Sequence, residues 1–412
     1  MKTSMTKKPT VAFVVQRFGT DVGGGAETLC RMIVEKMSPL WDIEVLTSSA
    51  KDYAKRFEND YPAGVEDLNG FIVKRFNIDY MRSDDFTFSQ LDQKVLNRTA
   101  SRAEEMLWLK EIGPYSSDLI QYVGQHVQNY DLFFFFTYLY ATTTLILPLV
   151  KEKSILVPTA HNEPPIFARF FDNFFALPRA LICSTNEELQ LVRNRTREPV
   201  RGVYLAGVGM DAPPPPNPAH FRREYNIEDD FLLYVGRIQK EKGCDQLCDY
   251  YLALSDEFRK KYPLVLLGKR AMSVPQNENI ITPGFVSEEL KFSAMAAAKL
   301  MIMPSVFESL NIVILESWLC GTPVLVNGSC DVLKAHCRRS NGGLWYDNFT
   351  EFEACLRFLI NNEDASVKLA QSGKKYVEQN YSWERIISVY TDVFDTEFRP
   401  DSMAAIMDSQ TG

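Results

Sequence analysis

Glu308 and Glu316 stand eight residues apart in the segment 304–316, Pro-Ser-Val-Phe-Glu-Ser-Leu-Asn-Ile-Val-Ile-Leu-Glu, which follows an apolar run over 300–303. One carboxylate at a strand exit and another on the following helix can accept hydroxyl hydrogens from a sugar, while the first amides of that helix face its phosphate. Solvated acids at a helix start are the plain alternative, and Glu308 fits it. Glu316 fits it poorly, because Ile312, Val313, Ile314, Leu315, Trp318 and Leu319 leave little polar face around it. An acid buried there needs a partner, and a ribose diol or a sugar hydroxyl would serve.

Gly236-Arg237 ends an apolar run over 231–235, and Lys242-Gly243 opens the next helical segment. Arginine offers a fixed fork to phosphate oxygens and lysine a mobile point charge. At a strand end and a helix start they suit the charge of a departing pyrophosphate. Alone, Arg237-Ile-Gln-Lys240-Glu-Lys242 would read as solvated charge; sharing a half with the glutamates favours the chemical reading. His161 follows another apolar run, in Thr159-Ala-His161-Asn162-Glu163-Pro164-Pro165. A lone histidine is often structural, but a polar trio at a strand's carboxyl end is where a ligand contact belongs. Asn162 and Glu163, with Arg17, Tyr115 and Arg169, are candidates for the acceptor side.

Other chemistries fit less well. A dinucleotide fingerprint needs G-x-G-x-x-G, and after Gly23 and Gly25 the last position is Thr28. No Gly-Lys-Ser/Thr follows, so there is no Walker loop, and no Asp-x-Asp occurs to clamp a metal-bound diphosphate. The eight cysteines lack zinc spacing, Cys244 and Cys248 being four apart and Cys330 and Cys337 seven apart. They read as small residues of a reducing compartment, with no metal and no cofactor expected. A formal charge of −8 disfavours nucleic acid as a partner.

The elements that must position these groups are those of an α/β protein of two units, since 412 residues exceed one ordinary domain. A strand is expected over 11–15, then the loop Gly23-Gly24-Gly25 and a helix with an apolar stripe at Leu29, Ile33 and Met37. Further strands are expected over 43–46, 71–76, 132–136, 155–158 and 180–184. Short unalternating runs between helices indicate parallel strands covered on both faces. The prolines of 211–218 mark a stiff connector. Beyond it strands are expected over 231–235, 264–267, 300–303 and 323–326, with helices over 244–254, 287–298 and 312–319. Thr350 and Glu353 form a capping-box pattern for a helix to 360, and a terminal helix is expected over 383–397, followed by a disordered tail over 398–412. The nineteen uncharged residues 132–150 are long enough for a membrane span, but four threonines and a polar break favour a buried strand and helix. The apolar run near the N-terminus is too short for a signal-peptide core, so a cytoplasmic protein is expected.

These motifs together resemble the retaining glycosyltransferase family 4, which has the GT-B architecture of two Rossmann-like domains facing each other across a cleft. The likeness runs from Gly23-Gly24-Gly25-Ala26-Glu27 through Gly113-Pro114-Tyr115-Ser116 and His161 to Tyr381-Ser382-Trp383-Glu384. It implies an acceptor-binding domain over 1–210, completed by the terminal helix, and a nucleotide-sugar-binding domain over 211–382. Arg237 and Lys242 would bind the donor diphosphate, Glu308 the donor sugar hydroxyls and Glu316 the ribose. Gly23, Gly24 and Gly25 would close on the donor, Gly236 would stand beside it, and His161 would lie near the transferred sugar. Many family members have glycines after the first glutamate, where this chain has Ser309-Leu310-Asn311. The backbone amides of Leu310 and Asn311 can still face phosphate, so the departure bears on which hexose fits. The acceptor is a sugar, a lipid-linked sugar or a small molecule, and peripheral membrane contact stays open. A nucleotide-sugar epimerase and a non-catalytic sugar-nucleotide sensor are the alternatives.

Overall fold

The computed structural model describes residues 8–52 and 56–398; apart from Phe398, the expected disordered tail lies outside the described residues. The chain divides into two compact units, one of residues 1–208 with 386–412 and one of 209–385.

The first unit holds an eight-stranded sheet of β1 (Thr10–Val14), β2 (Asp42–Ser48), β3 (Gly64–Leu68), β4 (Phe71–Phe76), β5 (Leu132–Phe136), β6 (Ser154–Val157), β7 (Ala180–Cys183) and β8 (Gly202–Leu205). Their order is β3-β4-β2-β1-β5-β6-β7-β8. All neighbours are parallel except β3, which pairs antiparallel with β4 at the edge. Covered strands need no alternation, and β5, β6 and β7 are buried at every residue. The uncharged stretch thus becomes buried β5, the short helix Ala141–Thr144 and 3-10 turns. Among the described residues no helix is long and apolar enough to cross a membrane.

The terminal helix Trp383–Phe398 closes one face of this sheet from Ile386 onward. Tyr390 is fully buried, its ring 5.5 Å from that of Phe134, and Phe394 lies 6.1 Å from Trp41. Glu397 receives hydrogen bonds from Arg179 Nε and the Tyr204 hydroxyl, both at 3.0 Å.

The second unit has six parallel strands, β9 (Leu232–Val235), β10 (Leu264–Leu267), β11 (Ile280–Gly284), β12 (Leu300–Met303), β13 (Val324–Asn327) and β14 (Gly343–Tyr346). They run in the order β11-β10-β9-β12-β13-β14. From β9 the chain winds outward one way to β11, then returns to the other side of β9 at β12. That reversal makes the β9/β12 boundary the switch point where open α/β sheets bind ligands.

One expected cap is corrected. The helix Phe349–Asn361 is capped by Asn348, whose Oδ1 accepts from Glu351 N at 3.0 Å, not by Thr350 with Glu353. Asn348 stands two residues before Thr350, and Glu351 also accepts from Asp347 N at 2.8 Å, so the helix start is fixed before Thr350 is reached. Glu353 instead meets Arg357, one turn on, at 2.8 Å.

Candidate functional site

At the second unit's switch point, β9 delivers Gly236 and Arg237 and β12 delivers the loop to Glu308. Buried Tyr234 ties this strand end down, its hydroxyl donating to Arg237 O at 2.8 Å. Lys242 follows on a 3-10 turn, and Gly243 adopts the left-handed conformation, φ 71°, that starts the helix Cys244–Ala253. A β-carbon on Gly243 would overlap Pro304 O, so only glycine lets this turn press against the loop of the glutamates. The contact is reinforced from both sides. Ser305 Oγ reaches Lys242 O at 3.5 Å, and Asn327 Nδ2 donates to Pro304 O at 3.0 Å. As a result Lys242 Nζ stands 2.7 Å from Glu308 Oε1, with Glu308 largely buried and Lys242 about one-third exposed.

The loop then turns into the helix Ile312–Leu319 through Asn311, at φ 64°. Asparagine is one of few side chains that accept this conformation, and its Oδ1 also caps the helix by accepting from Ile314 N at 3.0 Å. Leu310 is buried. The departure Ser309-Leu310-Asn311 therefore preserves a sharp, capped turn without glycine.

Glu316 is 8% exposed. Burial lifts its carboxyl above the ordinary carboxylate range, while the charge of Lys291 and its hydrogen bond pull it back. Lys291 Nζ donates to Glu316 Oε1 at 2.6 Å from the helix Glu288–Ala297. The partner that burial demands thus comes from the protein itself. Lys291 was not singled out from sequence; its place one turn after the cap Ser287 looks like any helical surface lysine, and only packing aims it at Glu316.

In the first unit, β1 leads into the glycine loop and the helix Gly25–Met37. Gly24 has φ 155°, and a β-carbon there would collide with the Glu27 carboxylate. Arg17, expected at the acceptor side, is 2% exposed. Its guanidinium pairs with Glu27 and donates to Lys51 O at 2.9 Å and Gly23 O at 3.3 Å. It braces the loop of Gly23, Gly24 and Gly25 from beneath. Arg169 is similarly committed, to Glu105 at 2.9 Å and Ala100 O at 3.0 Å. Tyr115 is half-buried, with Lys110 Nζ 4.7 Å above its ring and Tyr80 beside it at 5.7 Å.

His161 follows β6 and is partly exposed, its Nδ1 3.4 Å from Glu163 Oε1. Glu163 Oε1 also accepts from the Tyr138 hydroxyl at 3.0 Å, which holds the carboxylate beside the imidazole. Asn162 between them is exposed. The His161 loop is pinned by Glu188, an acid missed from sequence. Glu188 is 1% exposed and accepts from Ala160 N and Ser184 N, each at 2.6 Å. Burial pushes its carboxyl up to about 7 against those hydrogen bonds and the nearby His161. Thr185, three residues before Glu188 and capping its helix, was the available signal.

All eight cysteines are free thiols, and among the described residues no group of three or more His, Cys, Asp or Glu could hold a metal ion.

Residues 219–376 match the family model described as Glycosyl transferases group 1. A D-inositol 3-phosphate glycosyltransferase of Geodermatophilus obscurus is 26% identical over 51% of this chain and 52% of its own length. An alpha-D-kanosaminyltransferase of Streptomyces kanamyceticus is 28% identical over 36% of this chain and 43% of its own. The chain spans about half the length of the curated relatives it matches. Among solved structures, sucrose-phosphate synthase from Thermosynechococcus elongatus superposes with TM-score 0.70 at 15% identity, covering 95% of this chain and 99% of that one. The Anabaena protein HepE, solved in complex with UDP and glucose, gives TM-score 0.66 at 14% identity, covering 94% and 99%. The fold is GT-B, and the match to the group 1 model lies within the second unit.

Proposed function

We propose that this chain is a retaining glycosyltransferase that moves a sugar from a nucleotide-diphosphate donor to an acceptor hydroxyl without a metal ion. The observation that carries the reading is Lys242 at 2.7 Å from Glu308 at the β9/β12 switch point, one turn of chain from Arg237. An ammonium has three donors. Lys242 can keep Glu308 and still offer hydrogens to phosphate oxygens, so one pair fixes the distance between the diphosphate and the sugar hydroxyls. Glu316, held by Lys291, suits the ribose diol. Solved relatives of the same fold support a uridine nucleotide as one donor to test, since HepE was crystallised with UDP and glucose.

In this mechanism Arg237 and Lys242 stabilise the negative charge that grows on the departing diphosphate, in place of a cation. The leaving phosphate oxygen takes the acceptor's proton on the face the acceptor attacks, so configuration is retained and no enzyme nucleophile is needed. Loss of one donor to a developing oxyanion costs about a hundredfold in turnover or more. Arg237→Ala and Lys242→Ala are each expected to show that loss while retaining the fold; wild-type-like turnover in both ends this assignment. The anomeric configuration of the product, read by NMR, tests retention, and undiminished turnover in chelator tests independence from metal. Product formed without any acceptor would favour an epimerase instead.

A further inference from the structure

We propose that Glu188 is a positioning residue for the transfer, its carboxylate holding the backbone that presents His161 by joining the carboxyl ends of β6 and β7. The proposal rests on the transferase reading above, with His161 beside the transferred sugar, and adds a group too buried to touch either substrate. The backbone shows why a hold is needed. Thr159, two residues before His161, has φ 45°. That left-handed conformation is unfavourable for a β-branched residue and persists only where its surroundings over-determine it. From the β5 side, Tyr138 N donates to Pro158 O at 2.9 Å. From the other side, Glu188 Oε1 accepts from Ala160 N at 2.6 Å while its Oε2 accepts from Ser184 N at 2.6 Å. One carboxylate at the start of the helix Asn186–Arg195 therefore spans two strand exits. It clamps the peptide between Thr159 and Ala160, one residue short of His161.

Both oxygens accept fully only while the carboxylate is ionised. A protonated carboxyl keeps one carbonyl oxygen and carries an O–H where the second acceptor stood. Burial favours that neutral form and lifts the group to about 7, against the amides of Ala160, Ser184 and Thr185 and the charge of His161. The other titratable groups facing it are Cys183 on β7 and Tyr390 on the terminal helix, which in turn face Arg193 and Cys30. Burial pushes both Cys183 and Tyr390 up, so neither ionises near neutral pH. The clamp is complete above about pH 7 and loosened below it.

Stability and turnover then move in opposite directions with pH. The folded carboxyl holds its proton to higher pH than the unfolded chain does. Stability linked to Glu188 is therefore lost as pH rises through about 7. Turnover should rise over the same window, as the amides of Ala160 and Ser184 regain an acceptor each. A residue that only stabilised the fold would make the two fall together.

The test uses the full chain. NMR of selectively labelled alanine and serine amides should show Ala160 and Ser184 shifting together with a midpoint near pH 7, and no such shift in Glu188→Gln. With nucleotide-sugar donors, kcat should rise about tenfold through that midpoint, the effect of one hydrogen bond to a charged group, while the donor KM stays unchanged. Glu188→Gln has the outline of the neutral acid, so it should hold kcat at its low-pH level throughout. In a His161→Ala background the same substitution should change kcat less than about twofold, because the clamp then has no imidazole to present. An undiminished effect in that background, a rise in kcat that survives Glu188→Gln, or amides that do not titrate overturns the role. Turnover that falls with stability as pH rises overturns it as well. Failure of the donor reading shows separately, as nucleoside diphosphates that give no thermal shift while the amides still titrate, and it ends the role in transfer.

Discussion

Replacing Lys291 by methionine isolates what a buried acid costs when its partner is removed. Methionine keeps most of the apolar stem, so the change is loss of the charge, of its 2.6 Å bond to Glu316 and of the ammonium that lies 4.5 Å from the Phe292 ring centroid. Burial is the largest cause raising the Glu316 carboxyl, and Lys291 opposes it. Without Lys291 the carboxyl rises further, and the folded state holds its proton to higher pH than the unfolded chain. Stability linked to that proton is fully present below the unfolded value near 4.3 and is lost as pH rises through the folded one. At pH 5 the variant should therefore lose about 1 kcal/mol, the net worth of one hydrogen bond. By pH 8 the acid must either ionise unpaired or stay protonated against the solvent pH, and the loss should reach about 3 kcal/mol. For a unit of this size that is about 9 °C in Tm, against about 3 °C at pH 5. Scanning calorimetry at both pH values reads the difference directly, and titration with a nucleoside diphosphate should show affinity falling with it, since the ribose loses its positioned acceptor. An equal Tm loss at pH 5 and pH 8 would refute the electrostatic account of Glu316. Unchanged nucleotide affinity would remove Glu316 from the donor site.

Two further outcomes follow from the geometry. Gly243→Ala must place a β-carbon against Pro304 O in a left-handed backbone, so it should cost about 2 kcal/mol or more in urea unfolding and reduce turnover by displacing Lys242; an alanine variant as stable and active as the wild type contradicts the close approach. Glu188, raised from the usual 4.5 to about 7, should make the first unit lose up to about 3 kcal/mol as pH climbs through that window. Glu188→Gln cannot titrate, so its melting temperature should lack that slope; a slope unchanged in the variant assigns the pH dependence elsewhere.

Local patterns carried much of this molecule. Runs such as 264–267 and 300–303 declare themselves as strands because parallel strands buried on both faces need no polar alternation. Edge elements were less legible. β3 is exposed along most of its length and carries Glu66 and Asp67, so neither period nor apolar content marks it. The helix Asn186–Arg195 went unread for a similar reason, being polar over most of its surface.

Residue type and spacing along the chain determined which groups could do chemistry: two acids at a strand exit and helix, two cations at another, a histidine after a third. Folding alone decided their partners. Lys242 met Glu308 across 66 residues because a glycine turn fits against Pro304, Lys291 met Glu316 by the packing of two helices, and Arg17 was spent on the loop it seemed free to leave. Short-range pattern encodes backbone conformation and burial, whereas charge pairing depends on which side chains the sheet order brings within a few ångströms, and that order is a property of the whole unit.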